Sequence, residues 1–393
     1  MATEELQLPP LGMRAASASE PTPDLQQPAF AANRLPLLLY PTWQENYSHT
    51  LGNNIGWLFT HLVKSSPSWA SAVRLVLYTP YGLAVPPHWH GLATAITPHP
   101  LQSFAEFSAR FINNSSRCYK DMLVCAADDM GHASNLWQAT QHILQHHLPS
   151  LPPLEPPIEW QPDSQATSNP IRAWGPSAAA TLVRVVFARR DGAAVRQMSN
   201  LDELLRECNM WTYRTPATGR LYRAVCGSWI FTNLTTSIAV AQQADVLIGV
   251  HGANMANSWF MRPGSSAIEI FPPAWPWNIH RQWLEQDPLA QLQWWGLIVK
   301  DPAAYSPGAL ELQMASKPGL YQGRQGLYKL QRDRNVRVPW VGIEMVLREV
   351  AAARGSMGVY RAAVLQRRQL WEVTATSVGP LEVAPPSELL LDG

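Results

Sequence analysis

Residues suited to holding a phosphate follow a short apolar run late in the chain. The run Val246–Val250 is rich in β-branched residues and predicts a strand buried on both faces. His251, Gly252, Ala253 and Asn254 then break the run with residues that allow close backbone approach. In a parallel sheet such a turn lies at the carboxyl end of its strand, where the start of a helix offers N–H groups to an anion. The stretch therefore predicts a phosphate seat.

The residues after this turn complete a strand, turn, helix and strand unit. Met255 to Met261 favour a short helix, which Pro263 and Gly264 would stop. The second strand, Ala267 to Phe271, carries a lone acid, Glu269. Taken alone, a turn with one glycine is typical of an ordinary α/β connection. The phosphate seat is therefore predicted from the whole string Ala244 to Pro272 and not from the turn alone.

The whole string resembles the signature of the glycosyltransferase 61 family, a strand–HGA–helix–strand–Glu segment. Asn254 and Met255 depart from it, standing where many members carry Gly and Leu. The resemblance implies an α/β, GT-B-like fold with two Rossmann-like lobes facing a cleft, the string belonging to the nucleotide-sugar lobe. The matching positions are His251, Gly252, Ala253, Asn257, Phe260, Gly264 and Glu269.

Basic residues upstream of this string extend the predicted anion site. The predicted strand Thr181 to Ala188 ends in Arg189 and Arg190, and Arg196 follows after a loop. Guanidinium groups at the end of a buried strand suit a diphosphate. Asn200 to Glu203 has the spacing of a capping box at the start of a helix.

This stretch too resembles the family, which places an Arg, then an Asn four residues later, before a Glu-Leu pair. The matching residues are Arg196, Asn200, Glu203 and Leu204. The alternative is that Arg196 and Glu203 merely form surface ion pairs.

A second motif lies in the segment Glu45 to Val63, whose apolar residues recur at helical spacing. Asn46 and His49 match a family pattern in which an Asp follows four residues later, and Asn53 stands in its place. An amide cannot accept a proton at neutral pH. If that Asp is the family's proton acceptor, this chain must use His49 or is impaired. The alternative is that His49 and Asn53 simply cap the helix.

The resemblance implies an inverting glycosyltransferase that moves a sugar of the pentose or N-acetylglucosamine class from a UDP-sugar to a hydroxyl of a glycan or glycoprotein. His49 is the candidate base and His251 its competitor. The N–H groups from Gly252 to Asn254, with Arg189 and Arg190, would stabilise the departing phosphate. Glu269 could bind ribose hydroxyls.

Metal and cofactor motifs are missing from the sequence. No DxD pair is present, which predicts a metal-independent reaction with no cofactor besides the donor. Cys118, Cys125, Cys208 and Cys226 show no zinc spacing, and their redox state stays open. His88 and His90 form an HxH pair among prolines, which predicts a loop and no metal site.

Two other function classes remain open. One is a family member that binds nucleotide sugar or glycan without turnover, suggested by Asn53. The other is an unrelated nucleotide-binding enzyme such as a phosphotransferase, but no GxxxxGK string occurs. A formal net charge of +1 over 393 residues disfavours nucleic acid as a partner.

Composition divides the chain into an arm, two lobes, a linker and a tail. We expect a disordered arm at 1–32, an N-terminal acceptor lobe at 33–147, a Pro-rich linker at 148–172 and a nucleotide-sugar lobe at 173–355. The tail 356–393 has no assigned role. Trp229 to Leu234 is predicted to be a strand.

Targeting signals are not evident in the chain. No apolar run reaches the length of roughly 20 residues that spans a bilayer, and the first 30 residues lack the features of a signal peptide. The resemblance implies the lumen of the Golgi or endoplasmic reticulum, so either an anchor lies outside this chain or the location differs.

Overall fold

The computed structural model describes most of the chain between Leu35 and Pro380. The described residues are 35–41, 43–79, 84–109, 122–126, 135–151, 180–191, 193, 195–271, 279–306, 332–366, 369–374 and 377–380. The predicted arm at 1–32, most of the predicted linker at 148–172 and the end of the tail after residue 380 lie outside them. Within the described ranges, every helix is too short or too polar to cross a lipid bilayer.

The first sheet has four parallel strands in the order β3-β2-β1-β4. Leucine and valine fill its centre, where Leu37 of β1 pairs with Leu75 of β2 and Leu123 of β4. Strands and helices alternate along this half, which agrees with the α/β class expected from the sequence. The strands are β1 Leu35–Tyr40, β2 Val73–Leu77, β3 Gln102–Ser103 and β4 Leu123–Ala126.

Helices cover the first sheet, and one of them corrects a prediction. Pro87–Ala93 is a helix with a proline in its first turn, which that position tolerates. His88 and His90 therefore lie on a helix and not in the predicted loop, and His88 Nε2 is 3.1 Å from Thr50 Oγ1. The other helices of this half are Pro67–Ala72, Phe104–Ala109, Leu136–His147 and the continuous helix of residues 47–64.

The helix predicted within Glu45 to Val63 is confirmed at residues 47–64, but parts of it are π-helical and not α-helical. Two π-helical stretches, Thr50–Ile55 and Phe59–Lys64, alternate with short α-helical turns. Single π-helical turns are frequent at functional sites. Gly52 lies in the first stretch, where an added Cβ would be 2.5 Å from Cη2 of Trp283. The missing side chain therefore lets an indole from the second half pack against the helix.

The second sheet has eight strands in the order β14-β13-β10-β9-β8-β5-β7-β6. Its six inner strands are parallel, and β6 and β14 form antiparallel edges. β8 and β9 are buried at every residue, as the sequence predicts for the central motif. The strands are β5 Thr181–Arg189, β6 Thr212–Arg214, β7 Leu221–Ile230, β8 Val246–Val250, β9 Ser266–Phe271, β10 Gln293–Val299, β13 Leu370–Val373 and β14 Val378–Pro380. A separate antiparallel pair joins β11 Tyr305–Ser306 to β12 Asn335–Val336.

The strand predicted at Trp229 to Leu234 is wrong in its bounds. β7 ends at Ile230, and the helix Leu234–Gln243 begins directly after Asn233. Asn233 caps this helix by accepting a hydrogen bond from the Thr235 N–H at 3.0 Å. The hydrophobic residue Phe231 suggested a longer strand, but the strand ends at Ile230 and Asn233 caps the helix that follows.

The remaining helices of this half are Leu201–Met210, Ile279–Gln286, Trp340–Ala353 and Met357–Leu365. The segment after residue 355, for which the sequence suggested no role, supplies the last of these helices and the strands β13 and β14. A disulfide joins Cys208 to Cys226 and ties the helix Leu201–Met210 to β7.

The two sheets share one hydrophobic core. Leu51, Ile55 and Trp89 of the first half belong to the same buried cluster as Trp259 and Phe260 of the second. A polar contact adds to this packing at the start of the helix Leu136–His147. There the Trp137 N–H donates to Asp287 Oδ2 at 2.7 Å, so a carboxylate of the second half caps a helix of the first.

We expect Gly52→Ala to lower the free energy of unfolding by about 1–3 kcal/mol, because the new methyl group overlaps the Trp283 ring in a packed core. Gly358→Ala is the matched control. The nearest atom to its new methyl group is Ser356 Oγ at 3.7 Å, and we expect unchanged or slightly greater stability. Urea unfolding measures both variants. Equal stability of Gly52→Ala and the parent protein would contradict the contact.

Candidate functional site

The strand order of the second sheet creates a crevice between β5 and β8. From β5 the chain proceeds to β7 on one side, whereas β8, β9 and β10 follow on the other. Such a reversal of strand order in a parallel sheet is the place where ligands bind, outside the carboxyl ends of the strands. Arg190 directly follows β5 and His251 directly follows β8. Arg190 and His251, two of the predicted site residues, therefore both lie at this crevice.

Two guanidinium groups converge on the backbone of Gly252. A Cβ at this position would be 2.8 Å from Arg190 Nη1 and 3.0 Å from Arg196 Nη1. The φ angle of Gly252 is +151°, which L side chains rarely adopt. Only glycine allows this approach, as the sequence predicts for the turn.

Positive charge is concentrated at this point. Burial and the nearby charges of Arg190 and Arg332 together lower the pKa of Arg196 to about 10, although Asp333 acts in the opposite direction. Burial and the charge of Arg332 also lower the pKa of Arg190, again opposed by Asp333. Arg196 Nε lies 3.4 Å from Asp333 Oδ1. Three arginines thus share one nearby carboxylate, and a bound anion would relieve their repulsion.

Arg332 and Asp333 were not found by the sequence analysis. They lie more than 130 positions after Arg196 and belong to no motif. Arg332 forms an ion pair with its neighbour Asp333 at 2.7 Å. A cluster of alternating charge, such as RDR, was the only signal available in the sequence, and it is typical of solvated surfaces.

The structure separates Arg189 from Arg190. The Arg189 guanidinium forms an ion pair with Asp191 at 2.5 Å, and its side chain is 32% exposed. Its carbonyl oxygen accepts a hydrogen bond from Asn254 Nδ2 at 3.2 Å. Arg189 therefore holds the turn through its backbone, whereas Arg190 places its side chain at Gly252.

The helix after the turn differs slightly from the predicted one. A 3-10 helix, Ala253–Phe260, replaces the helix expected from Met255 to Met261 and begins directly after Gly252. Asn257 Nδ2 donates to the Asn254 carbonyl at 2.8 Å, and Asn257 Oδ1 accepts from the Tyr47 hydroxyl at 3.3 Å. The turn is thus held by the helix of residues 47–64.

The helix start predicted at Asn200 is confirmed, but the capping box is not. Asn200 precedes the helix Leu201–Met210 without capping it. Its side chain instead bonds the backbone N–H and carbonyl of Val338, at 2.9 and 3.0 Å. Glu203 pairs with Arg337 on the surface. The amide therefore joins two distant segments behind the site.

His251 is oriented by a buried carboxylate. Its Nδ1 lies 2.8 Å from Glu269 Oε1, and the Trp294 indole N–H donates to Glu269 Oε2 at 2.9 Å. Burial alone would raise the pKa of Glu269, but His280, His251 and Trp294 together lower it. A carboxylate that accepts from Nδ1–H leaves Nε2 of the imidazole able to accept a proton.

This geometry differs from the ribose role predicted for Glu269. Both carboxylate oxygens are used by His251 and Trp294, and the side chain is fully buried, at 0% exposure. We therefore describe Glu269 as a positioning residue for His251.

A second buried histidine, His280, belongs to the same cluster and was missed by the sequence analysis. It is 2% exposed, and its ring contacts Trp283 edge to face at 5.3 Å. Burial lowers its pKa to about 4, helped by His251 and His49 and opposed by Glu269 and the Gly252 backbone. Its place on the short helix Ile279–Gln286 gave no motif in the sequence.

The helix of residues 47–64 brings His49 to this cluster. His49 is half-buried, and its ring meets Trp283 edge to face at 6.4 Å. Asn53, only 1% exposed, lies with Nδ2 3.2 Å from His49 Nδ1. Asn46 caps the helix by accepting from the Ser48 N–H at 3.1 Å. The side chain that caps the helix is thus Asn46 and not His49 or Asn53, and Asn53 contacts the candidate base.

The Asn53 amide has a chemical consequence for His49. When Nδ2 donates to Nδ1, the imidazole proton sits on Nε2, which then cannot accept another. When the amide is turned to present its oxygen, Nδ1 carries the proton and Nε2 becomes basic. The orientation of this one amide therefore decides whether His49 can act as a base.

No group of three or more His, Cys, Asp or Glu side chains within the described ranges is arranged to hold a metal ion. A cavity of about 400 Å³ lies apart from the Arg190 and His251 cluster. It is lined by residues of the helices Ile279–Gln286 and Met357–Leu365, among them Leu284, Tyr360 and Arg361, and by Trp294.

We expect acid to destabilise the protein partly through His280. A histidine with a depressed pKa in the folded state binds fewer protons than the unfolded chain, so stability falls as the pH drops from 6.5 to about 4. Burial also lowers the pKa of His88 and of His146, so these residues change the stability with pH in the same direction. His280→Phe should therefore flatten, without abolishing, the dependence of the unfolding free energy on pH. His90→Gln, at an exposed position, is the control and should keep the parent slope; an unchanged slope in His280→Phe would contradict this assignment.

Comparison with known proteins gives a family match over part of the chain. The model of the Glycosyltransferase 61 family matches residues 95–268. No curated protein matches the chain. The matched segment contains Arg190, Arg196, His251 and Gly252, while His49 and Asn53 precede it and Glu269 directly follows it. The family prediction is thereby confirmed by the match of residues 95–268 to the Glycosyltransferase 61 model.

Proposed function

We propose that this chain is an inverting glycosyltransferase that uses a UDP-sugar of the pentose or N-acetylglucosamine class. The acceptor is a hydroxyl group of a glycan or glycoprotein. The observation that carries the proposal is the convergence of Arg190 and Arg196 on Gly252 at the crevice between β5 and β8. The family match supports the glycosyltransferase class.

The arginine cluster is the proposed diphosphate site. Charge grows on the leaving phosphate as the glycosidic bond breaks, so donors placed there stabilise the transition state more than the bound substrate. Arg190 and Arg196 are partly desolvated, which strengthens their interaction with an anion. We propose that this cluster makes a metal ion and any cofactor besides the donor unnecessary.

Inversion requires the acceptor hydroxyl to attack from the side opposite the leaving group. We propose His49 as the base, because it approaches the cluster from the helix of residues 47–64 and not from the strand ends that hold the phosphate site. This role needs the Asn53 amide oxygen to face His49 Nδ1. His251, oriented by Glu269, then contacts the phosphate or the sugar through Nε2.

We propose that the two sheets form the two lobes of a GT-B-like fold. The helix of residues 47–64 crosses between them, and Tyr47 bonds Asn257 beside the phosphate turn. The core shared by the sheets favours small closing movements over a wide swing.

We propose the lumen of the Golgi or endoplasmic reticulum as the location. The Cys208–Cys226 disulfide supports it, because such bonds persist in oxidising compartments. The family resemblance points the same way.

A member that binds UDP-sugar without turnover is the second candidate. The 3.2 Å contact from Asn53 Nδ2 to His49 Nδ1 favours it, since this orientation leaves His49 unable to accept a proton through Nε2. Binding of UDP-sugar with neither transfer nor hydrolysis would establish this alternative.

We expect Arg190→Met to remove most of the thermal stabilisation that saturating UDP gives the parent protein. A lost charged hydrogen bond is worth roughly 1.5–3 kcal/mol, or about tenfold or more in affinity. The ligand-free variant should be as stable as the parent or more so, because a repelling charge is gone. Arg189→Met is the matched control: its guanidinium faces Asp191, so UDP stabilisation should be nearly retained. Equal losses in both variants would contradict the assignment of Arg190.

We expect Asn53→Asp to increase the rate of transfer if His49 is the base. A carboxylate accepts from Nδ1–H and fixes the tautomer in which Nε2 is basic. General base catalysis is worth about 10²-fold or more, so kcat is the quantity to measure while KM for the donor stays similar. Asn53→Ala is the control and should show no increase. A fall of kcat in a folded Asn53→Asp protein would remove His49 from the role of base.

A further inference from the structure

His280 lacks hydrogen-bond partners in a polar setting. Neither Nδ1 nor Nε2 makes a hydrogen bond, although the residue is only 2% exposed. Buried polar atoms are nearly always satisfied, so an imidazole with two unpaired nitrogens points to a group that binds there. Packing alone would be served as well by an apolar ring against Trp283.

The groups around His280 do not satisfy it. Glu269 attracts the ring electrostatically, but its two oxygens already accept from His251 and Trp294. The Gly252 backbone is near enough to favour the protonated ring without reaching the geometry of a hydrogen bond. His49 and His251 are imidazoles that disfavour a charge on it.

The chemistry of the unpaired ring selects the kind of ligand. Burial keeps the imidazole neutral at physiological pH, with a pKa of about 4. A neutral imidazole offers one donor and one acceptor, which matches a hydroxyl group. A phosphate offers only acceptors and favours a protonated ring, and it already has Arg190 and Arg196 nearby.

The neighbours of His280 also fit this ligand. Gly252 belongs to the proposed phosphate site, and His49 is the proposed base on the acceptor side. In an inverting transfer the sugar that moves lies between the leaving phosphate and the attacking hydroxyl. The rings of His280 and His49 both meet Trp283, at 5.3 and 6.4 Å, and the Gly252 backbone lies near His280, so His280 is placed for that sugar.

We propose that His280 binds a hydroxyl group of the transferred sugar and so distinguishes the UDP-sugar from UDP. This inference rests on the proposed function, because it assumes a nucleotide-sugar donor. It assigns to the helix Ile279–Gln286 a part in donor recognition that no sequence motif indicated.

The test compares the affinities for UDP and for UDP-sugar in the same variants. Titration calorimetry with UDP, UDP-xylose, UDP-N-acetylglucosamine and UDP-arabinose first identifies the sugar that the parent protein prefers over UDP. In His280→Phe we expect UDP affinity to stay within about twofold, while the preference for that UDP-sugar falls about tenfold. His280→Asn keeps a donor and an acceptor, so it should restore part of the preference.

Thermal unfolding without ligand separates recognition from folding. His280→Phe should be at least as stable as the parent protein, because it removes two unpaired buried polar atoms. His280→Leu repeats the test if phenylalanine packs poorly against Trp283.

A folded His280→Phe or His280→Leu protein with the parent preference for UDP-sugar would overturn the inference. An equal loss of UDP and UDP-sugar affinity would also overturn it, by placing His280 at the phosphate. Failure of the parent protein to bind UDP at all would instead overturn the proposed function, and the inference with it.

Discussion

The concentration of positive charge at Gly252 is the constraint on which the rest of the site depends. Arg190 and Arg196 come within about 3 Å of the place where a side chain would begin, and Arg332 adds to their repulsion. Like charges in a partly buried place are unfavourable unless an anion joins them. Asp333 offsets only part of this cost, which leaves the ligand-free site prepared for a negatively charged group.

Buried strands and hydrogen bonds hold the turn at Gly252, and with it these charges, in place. β8 and β9 are buried throughout, and the turn after β8 is fixed by the hydrogen bond from Asn254 to the Arg189 carbonyl of β5 and by the His251–Glu269 pair. Burial acts to raise the pKa of Glu269, but His280, His251 and Trp294 lower it below its ordinary value, which favours the carboxylate. The carboxylate thereby sets the tautomer of His251. Because Glu269 lies on the buried strand β9, it also fixes the orientation of the imidazole.

The first half of the chain takes part in the site through one helix. Residues 47–64 reach the turn by way of Tyr47, and the absent side chain at Gly52 lets Trp283 pack against the same helix. His49 and His280 are brought together by this packing, one from each half. Close packing of Trp283 is therefore also what places the two histidines near each other.

Local pattern predicted much of the second sheet and the turn at Gly252. Buried strands, the glycine of the turn, the helix of residues 47–64 and the family were all evident in short stretches, because burial on two faces and a positive φ leave a direct trace in residue types. The mistaken strand after Ile230 and the loop expected at His88 show how a local cap or a proline in a first helical turn can defeat the same reasoning.

Tertiary structure decided which of these residues meet. The order β8-β5-β7 brings Arg190 to Gly252 but turns Arg189 to Asp191, although the two arginines are adjacent in sequence. The neighbouring order β10-β9-β8 brings Glu269 to His251 and Trp294. Arg332 and His280 come to the site from distant segments without motifs. The sequence by itself determined the kinds of chemistry available, because those reside in residue types and local spacing. Only the fold decided the partners, because contacts between residues far apart in sequence depend on how strands are ordered and how the core closes.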